Sequence, residues 1–122
     1  MAFTKSFKYA WHGLLSVYRD ERNFRVECLA AIAALLGGVL FSFSFVEFAI
    51  VTVVIALVLS LEILNSAMER YLDVVEVRMK TYVRLIKDML AGAVFVGSLG
   101  AFLVGIFLYL PHLIILLRNS LF

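Results

Sequence analysis

The sequence predicts an all-α integral membrane protein, with three transmembrane helices preceded by an N-terminal amphipathic surface helix, in a single domain over residues 1–122. Three observations carry this. Hydrophobic residues make up 64% and charged residues 16% of the chain, against about 45–50% and about 25% in soluble domains. The mean hydropathy of +1.03 leaves too little polar surface to coat a globule of this size. The few charges also cluster between long apolar runs. The same composition excludes other classes. A net charge of +2, with no basic face interleaved with aromatics, argues against a nucleic-acid partner. A single cysteine, Cys28, excludes an intrachain disulfide and a multi-cysteine metal site.

Residues 3–25 form the first expected element. Phe3, Phe7, Ala10, Trp11, Leu14 and Tyr18 recur at three- and four-residue intervals, while Lys5, Lys8, His12 and Arg19 lie elsewhere around the wheel. A basic side with aromatic anchors suits a membrane surface; a helix packing on the three-helix core is an equal and compatible reading. Residues 28–46 follow as 19 uncharged positions, close to the roughly 20 a spanning helix needs. A signal peptide fits poorly there, because the positive region is long and no small-x-small cleavage site follows. Ser42, Phe43, Ser44 and Phe45 read as a tight outer turn, so the first two spans form a helical hairpin. Residues 48–68 are 21 positions with one charge, Glu62, and residues 89–117 are 29 positions with no formal charge, broken late by Pro111 and His112.

Lysine and arginine are retained on the cytoplasmic side of short loops. Lys5, Lys8, Arg19, Arg22 and Arg25 precede the first span, and Arg70, Arg78, Lys80, Arg84 and Lys87 separate the second from the third. The first connection has none and the C-terminus only Arg118. The expected topology is multi-pass, with the N-terminus and second connection cytoplasmic and the C-terminus outside.

Charge inside a span costs roughly 2.5–3.5 kcal/mol per group at the centre and reads as functional by default. Glu62 and Glu69 are seven residues apart, a turn of about 700° that brings both carboxylates to one helix face. Asn65 and Asp73 fall on the same stripe. Counted from Phe48 at 1.5 Å per residue, Glu62 lies about 21 Å along the helix, about two-thirds through a core of roughly 30 Å. Glu69 is about 10 Å further, at the cytoplasmic interface. Asp73 alone is also what a solvated helix end looks like, as are Glu21 and Glu27 before the first span. Lys87-Asp88 opens the third span, where a helix start offers N–H groups to an anion.

Leu61-Glu62-Ile63-Leu64-Asn65-Ser66-Ala67-Met68-Glu69, with Asp73 four residues on, resembles the signature of the small prokaryotic membrane lipid kinases, the diacylglycerol kinase and undecaprenol kinase family. Glu21-Arg22-Asn23-Phe24-Arg25, and Lys87-Asp88 followed by Ala91-Gly92-Ala93-Val94, resemble its other two motifs at similar spacing. The resemblance runs from about Phe7 to Pro111, and Glu-Arg-Asn-Phe with the late Leu-Pro looks more like the undecaprenol kinase branch.

This resemblance implies transfer of the γ-phosphoryl group of Mg-ATP to a lipid hydroxyl, most simply undecaprenol with diacylglycerol as the alternative, in a bacterial cell membrane. No Walker motif is present, since Gly100 to Gly105 is followed by Ile-Phe. The implied roles are Glu62 as general base and acceptor contact, Asn65 as a substrate contact, and Glu21 and Glu69 as Mg²⁺ and ATP ligands. Tyr9, Lys87 and Asp88 would complete the ATP contacts. It also implies a homotrimer with shared active sites. Ala93, Gly97, Ala101 and Gly105 form a small-residue ridge that suits close packing between protomers or within one. One departure stands out: the family's histidine before Lys-Asp is absent from Val77-Arg78-Met79-Lys80-Thr81-Tyr82-Val83-Arg84, which bears on nucleotide preference and on whether activity is retained. A non-catalytic membrane protein with an acidic intramembrane stripe remains open from the stripe alone. The set Glu21, Asn65, Glu69, Lys87 and Asp88 separates the two readings, because an ion path does not require it.

Overall fold

A computed structural model describes residues 2–75 and 80–121. It is all-helical: α1 (Ala2–Asp20), α2 (Arg22–Leu40), α3 (Phe45–Val75) and α4 (Lys80–Leu121). Helices α2, α3 and α4 are each long and apolar enough to cross a membrane; at 1.5 Å per residue they measure about 28, 46 and 63 Å. Val77, Arg78 and Met79, part of the stretch without the histidine, lie outside the described residues.

The segment 3–25 is two helices rather than one. Glu21 adopts an extended conformation (φ −112°, ψ 111°) between them. The last carbonyls of a helix lack intrahelical partners, and here Arg25 of α2 reaches back to donate to the carbonyls of Tyr18 (2.8 Å) and Arg19 (2.9 Å). The chain thus changes direction without Gly or Pro. Helix α1 is held to α3 by Arg70, whose guanidinium donates to Ser16 Oγ (3.0 Å) and pairs with Asp20 (3.2 Å).

At the other end, residues 41–44 form the turn between α2 and α3. Phe43 N–H donates to the Gly38 carbonyl (2.9 Å) and Ser42 N–H to that of Val39 (3.2 Å), the two bonds of a Schellman motif. Ser42 holds the left-handed position (φ 55°) that glycine usually takes. Ser44 then caps α3 reciprocally with Glu47: Glu47 N–H donates to Ser44 Oγ (3.2 Å) and Ser44 N–H to Glu47 Oε1 (3.1 Å). The hairpin's sharpness follows from this pair of motifs, which leaves few backbone groups unpaired at the membrane boundary.

Helices α3 and α4 share the largest interface and run antiparallel. Lys87 Nζ pairs with Asp73 Oδ1 (2.8 Å) near α1, and His112 Nε2 lies 2.7 Å from Glu47 Oε2 at the turn. The spacing between these ties is about 39 Å along α3 and about 38 Å along α4, so the helices keep a common register. Helix α4 continues through Pro111 to Leu121, although proline removes one hydrogen bond and crowds the preceding turn. His112 is held there by Glu47 and by the rings of Phe41 and Phe43.

Close helix approach depends on glycine at two places. A Cβ on Gly97 would run into Leu61 Cδ1, so this part of the small-residue ridge packs against the protomer's own α3. A Cβ on Gly38 would meet the Phe48 ring at 2.7 Å and the Phe43 ring at 3.1 Å. Overpacking of this kind costs about 1–3 kcal/mol. Gly38→Ala is therefore expected to lower the thermal unfolding midpoint in detergent, while Gly100→Ala, with nothing within 4 Å, leaves it in place.

Candidate active site

Helix α3 presents the acidic stripe. Glu62 is 8% exposed and Ser66, one turn on, is 3% exposed. Glu62 meets Glu27 of α2, the two carboxyl groups lying within hydrogen-bonding reach. Glu27 Oε2 is buried without a donor, and no cation among the described residues pairs with either group. In sequence Glu27 looks like an interfacial charge. Only the rotation of α2 against α3 reveals it as the neighbour of Glu62, and no local pattern encodes that rotation.

One turn beyond Glu62, Asn65 Nδ2 donates to Glu69 Oε1 (3.5 Å), and Asn65 Oδ1 is buried with no partner among the described residues. The amide is thus turned towards Glu69 with its acceptor available. Asp73 then accepts from Lys87 across to α4. Side-chain contacts accordingly link Asn65 to Glu69 and Asp73 to Lys87 along the stripe that Glu62 heads. Asp88 follows Lys87 and is exposed. Glu21 is half-buried at the α1–α2 junction; its neighbour Asp20 pairs with Arg70, which itself follows Glu69. Tyr9 is 71% exposed on α1, and no hydrogen bond holds its hydroxyl among the described residues.

The donor set suits a magnesium ion of one kind only. No three His, Cys, Asp or Glu side chains gather as a metal cluster among the described residues, so a cage made by protein alone is not built. Mg²⁺ is commonly held by one or two carboxylates together with waters and substrate phosphates. Glu69 and Glu21 offer hard oxygens of that type.

An apolar cavity of about 340 Å³ runs between α2, α3 and α4. Ala30, Ala31 and Ala34 form its α2 wall, and Ala101 and Gly105 leave room on α4. Of its lining residues Glu27 alone is charged, and it stands beside Glu62. The Tyr109 hydroxyl, also in the wall, donates to the Ala34 carbonyl. A slender apolar chain lying in this space would carry a polar end to the carboxyl pair.

The family model for prokaryotic diacylglycerol kinase matches residues 8–109. The chain belongs to this family. It is 36% identical over 111 residues to the undecaprenol kinase of Bacillus subtilis (strain 168), covering 91% of this chain and 90% of that one. To the diacylglycerol kinase of Synechocystis sp. (strain ATCC 27184 / PCC 6803 / Kazusa) it is 33% identical over 113 residues, covering 92% of this chain and 65% of that one. No solved structure matches. Family membership makes the chain a membrane lipid kinase, a phosphotransferase.

The Asn65–Glu69 bond joins two polar side chains of the α3 stripe. Asn65→Asp sets a second carboxylate against Glu69 where a donor stands, and loss of a hydrogen bond to a charged group is worth about 1.5–3 kcal/mol. Radiolabelled phosphate transfer to a lipid alcohol is expected to fall at least about tenfold in this variant.

Proposed function

We propose that this lipid kinase phosphorylates undecaprenol, using Mg-ATP from the cytoplasmic side of the membrane. The observation that carries the reading is a buried carboxyl, Glu62, beside the Glu27 that lines an apolar cavity and at the head of a polar stripe along α3. A long apolar chain suits that cavity, and the 36% identity to an undecaprenol kinase along nearly its whole length supports this acceptor. Diacylglycerol is the second acceptor, favoured by the match to a diacylglycerol kinase.

In this reading Glu62 takes the proton of the acceptor hydroxyl as its oxygen attacks the γ-phosphorus. Asn65, with its free carbonyl oxygen, orients the acceptor or the transferred group. Phosphoryl transfer asks mainly for positioning and charge neutralisation. Glu69 and Glu21 would hold a Mg²⁺ that, when bound, would supply that neutralisation. Lys87 and Asp88 receive the nucleotide, with Tyr9 reaching it from α1. The Lys87–Asp73 pair is partly exposed and holds the ammonium beside α3.

The N-terminus and the α3–α4 connection face the cytoplasm, consistent with ten of eleven basic residues lying on that side. Helix α1 lies on that surface through Phe3, Phe7 and Trp11, all exposed. Neighbouring protomers of a homotrimer close the exposed side of the stripe at Asp73 and Asp88.

Purified protein is expected to transfer radiolabelled phosphate to undecaprenol faster than to diacylglycerol; the reverse order would overturn the acceptor assignment. General-base catalysis contributes about 10²–10⁴-fold. Glu62→Gln should lower turnover by that amount with ATP binding nearly unchanged, and retained turnover would remove Glu62 from the base role.

A further inference from the structure

The mechanism above gives Glu27 no task, yet Glu27 is the charged group of the cavity wall and the immediate neighbour of the base. Two facts make this costly unless it is used. Glu62 is more than nine-tenths buried in contact with Glu27, and Glu27 Oε2 is buried with no hydrogen-bond partner among the described residues. The surroundings offer no compensation. Cys28 follows Glu27 on α2, α4 brings only Ser98 and the Tyr109 hydroxyl as polar groups to the cavity wall, and α1 brings nothing to it. Two carboxyl groups in contact with no cation between them repel unless a proton is shared across the contact.

We propose that Glu27 is a positioning residue for the transfer reaction: its carboxyl carries the one proton the pair retains and donates it in a hydrogen bond to Glu62, which keeps Glu62 ionised and aimed at the acceptor hydroxyl. This rests on the reading of Glu62 as the base. In the step itself the acceptor O–H bond breaks, its proton passes to Glu62 and its oxygen bonds to the γ-phosphorus. The bond from that phosphorus to the bridging oxygen breaks, and the electron pair leaves with ADP. The carboxyl pair is then neutral, and release of one proton to water restores its single negative charge. A lone carboxylate at this depth would have neither the aiming contact nor a donor to offset its lost hydration.

The test compares the kcat–pH profiles of the wild type, Glu27→Gln and Glu27→Ala with a polyprenol acceptor and Mg-ATP. Glu27→Ala removes the donor, so its acid limb is expected to move up by about one pH unit or more. Its kcat should fall at least about tenfold at neutral pH, with KM for ATP within about twofold. Glu27→Gln keeps an N–H donor and should recover part of both effects. A packing defect alone would lower activity without moving the limb. Coincident limbs with kcat within about twofold of wild type in the variants would overturn the proposal, as would a rise in KM for ATP that accounts for the whole loss. Should Glu27→Ala fail to survive extraction, Glu27→Gln decides: a smaller upward shift supports the role and no shift overturns it. These failures differ from failure of the parent reading, in which Glu62→Gln stays active or the wild type transfers phosphate to no lipid alcohol.

Discussion

A carboxyl group at the depth of Glu62 gives up most of its hydration, at about 2.5–3.5 kcal/mol on insertion scales, and most of the fold can be understood as holding that group in place. Helix α3 carries it inside an apolar stretch. Helix α2 sets Glu27 against it, and small residues on α2 and α4 keep an apolar space open beside the pair. Lipid on the outside makes the arrangement possible, because apolar helices need no polar outer face there. An intramembrane carboxylate is thus tolerable where it is shared, and useful where a lipid alcohol meets it.

Position along the membrane normal matters as much as burial. The two ties between α3 and α4, Asp73–Lys87 and Glu47–His112, stand at opposite ends of the helices and fix how far one slides past the other. Glu47 serves two structures at once, completing the cap of α3 through one oxygen and holding His112 through the other. Arg70 does comparable work near α1, binding Ser16 and Asp20 and so tying the residue before Glu21 to the residue after Glu69. Alignment of Glu21, Glu69 and Lys87 with Glu62 therefore depends on contacts well away from the buried carboxyl.

Much of this was legible in the sequence where the information is local. The apolar runs gave three helices, the seven-residue spacing of Glu62 and Glu69 gave the stripe, and three motifs carried the family. Other features were not local. Glu27 acquires its meaning only from the rotation of α2 on α3, and His112 finds Glu47 across most of the chain length. The break at Glu21 hides in Asp20-Glu21-Arg22-Asn23, which has neither Gly nor Pro, because its stabilising contact comes from Arg25 one turn later. The Ser44-x-x-Glu47 box is different, a local capping signal that stands in the sequence itself at the start of α3.

The central claim is that a lipid alcohol in the bilayer and ATP in the water meet on α3, on the membrane side that carries Glu69 and Lys87. Sealed vesicles containing the protein in one known orientation, loaded with polyprenol and given ATP on one face at a time, test it most directly. Phosphorylated polyprenol is expected only when ATP faces the Lys87 side. Product formed with ATP supplied solely on the Glu47–His112 side would contradict it.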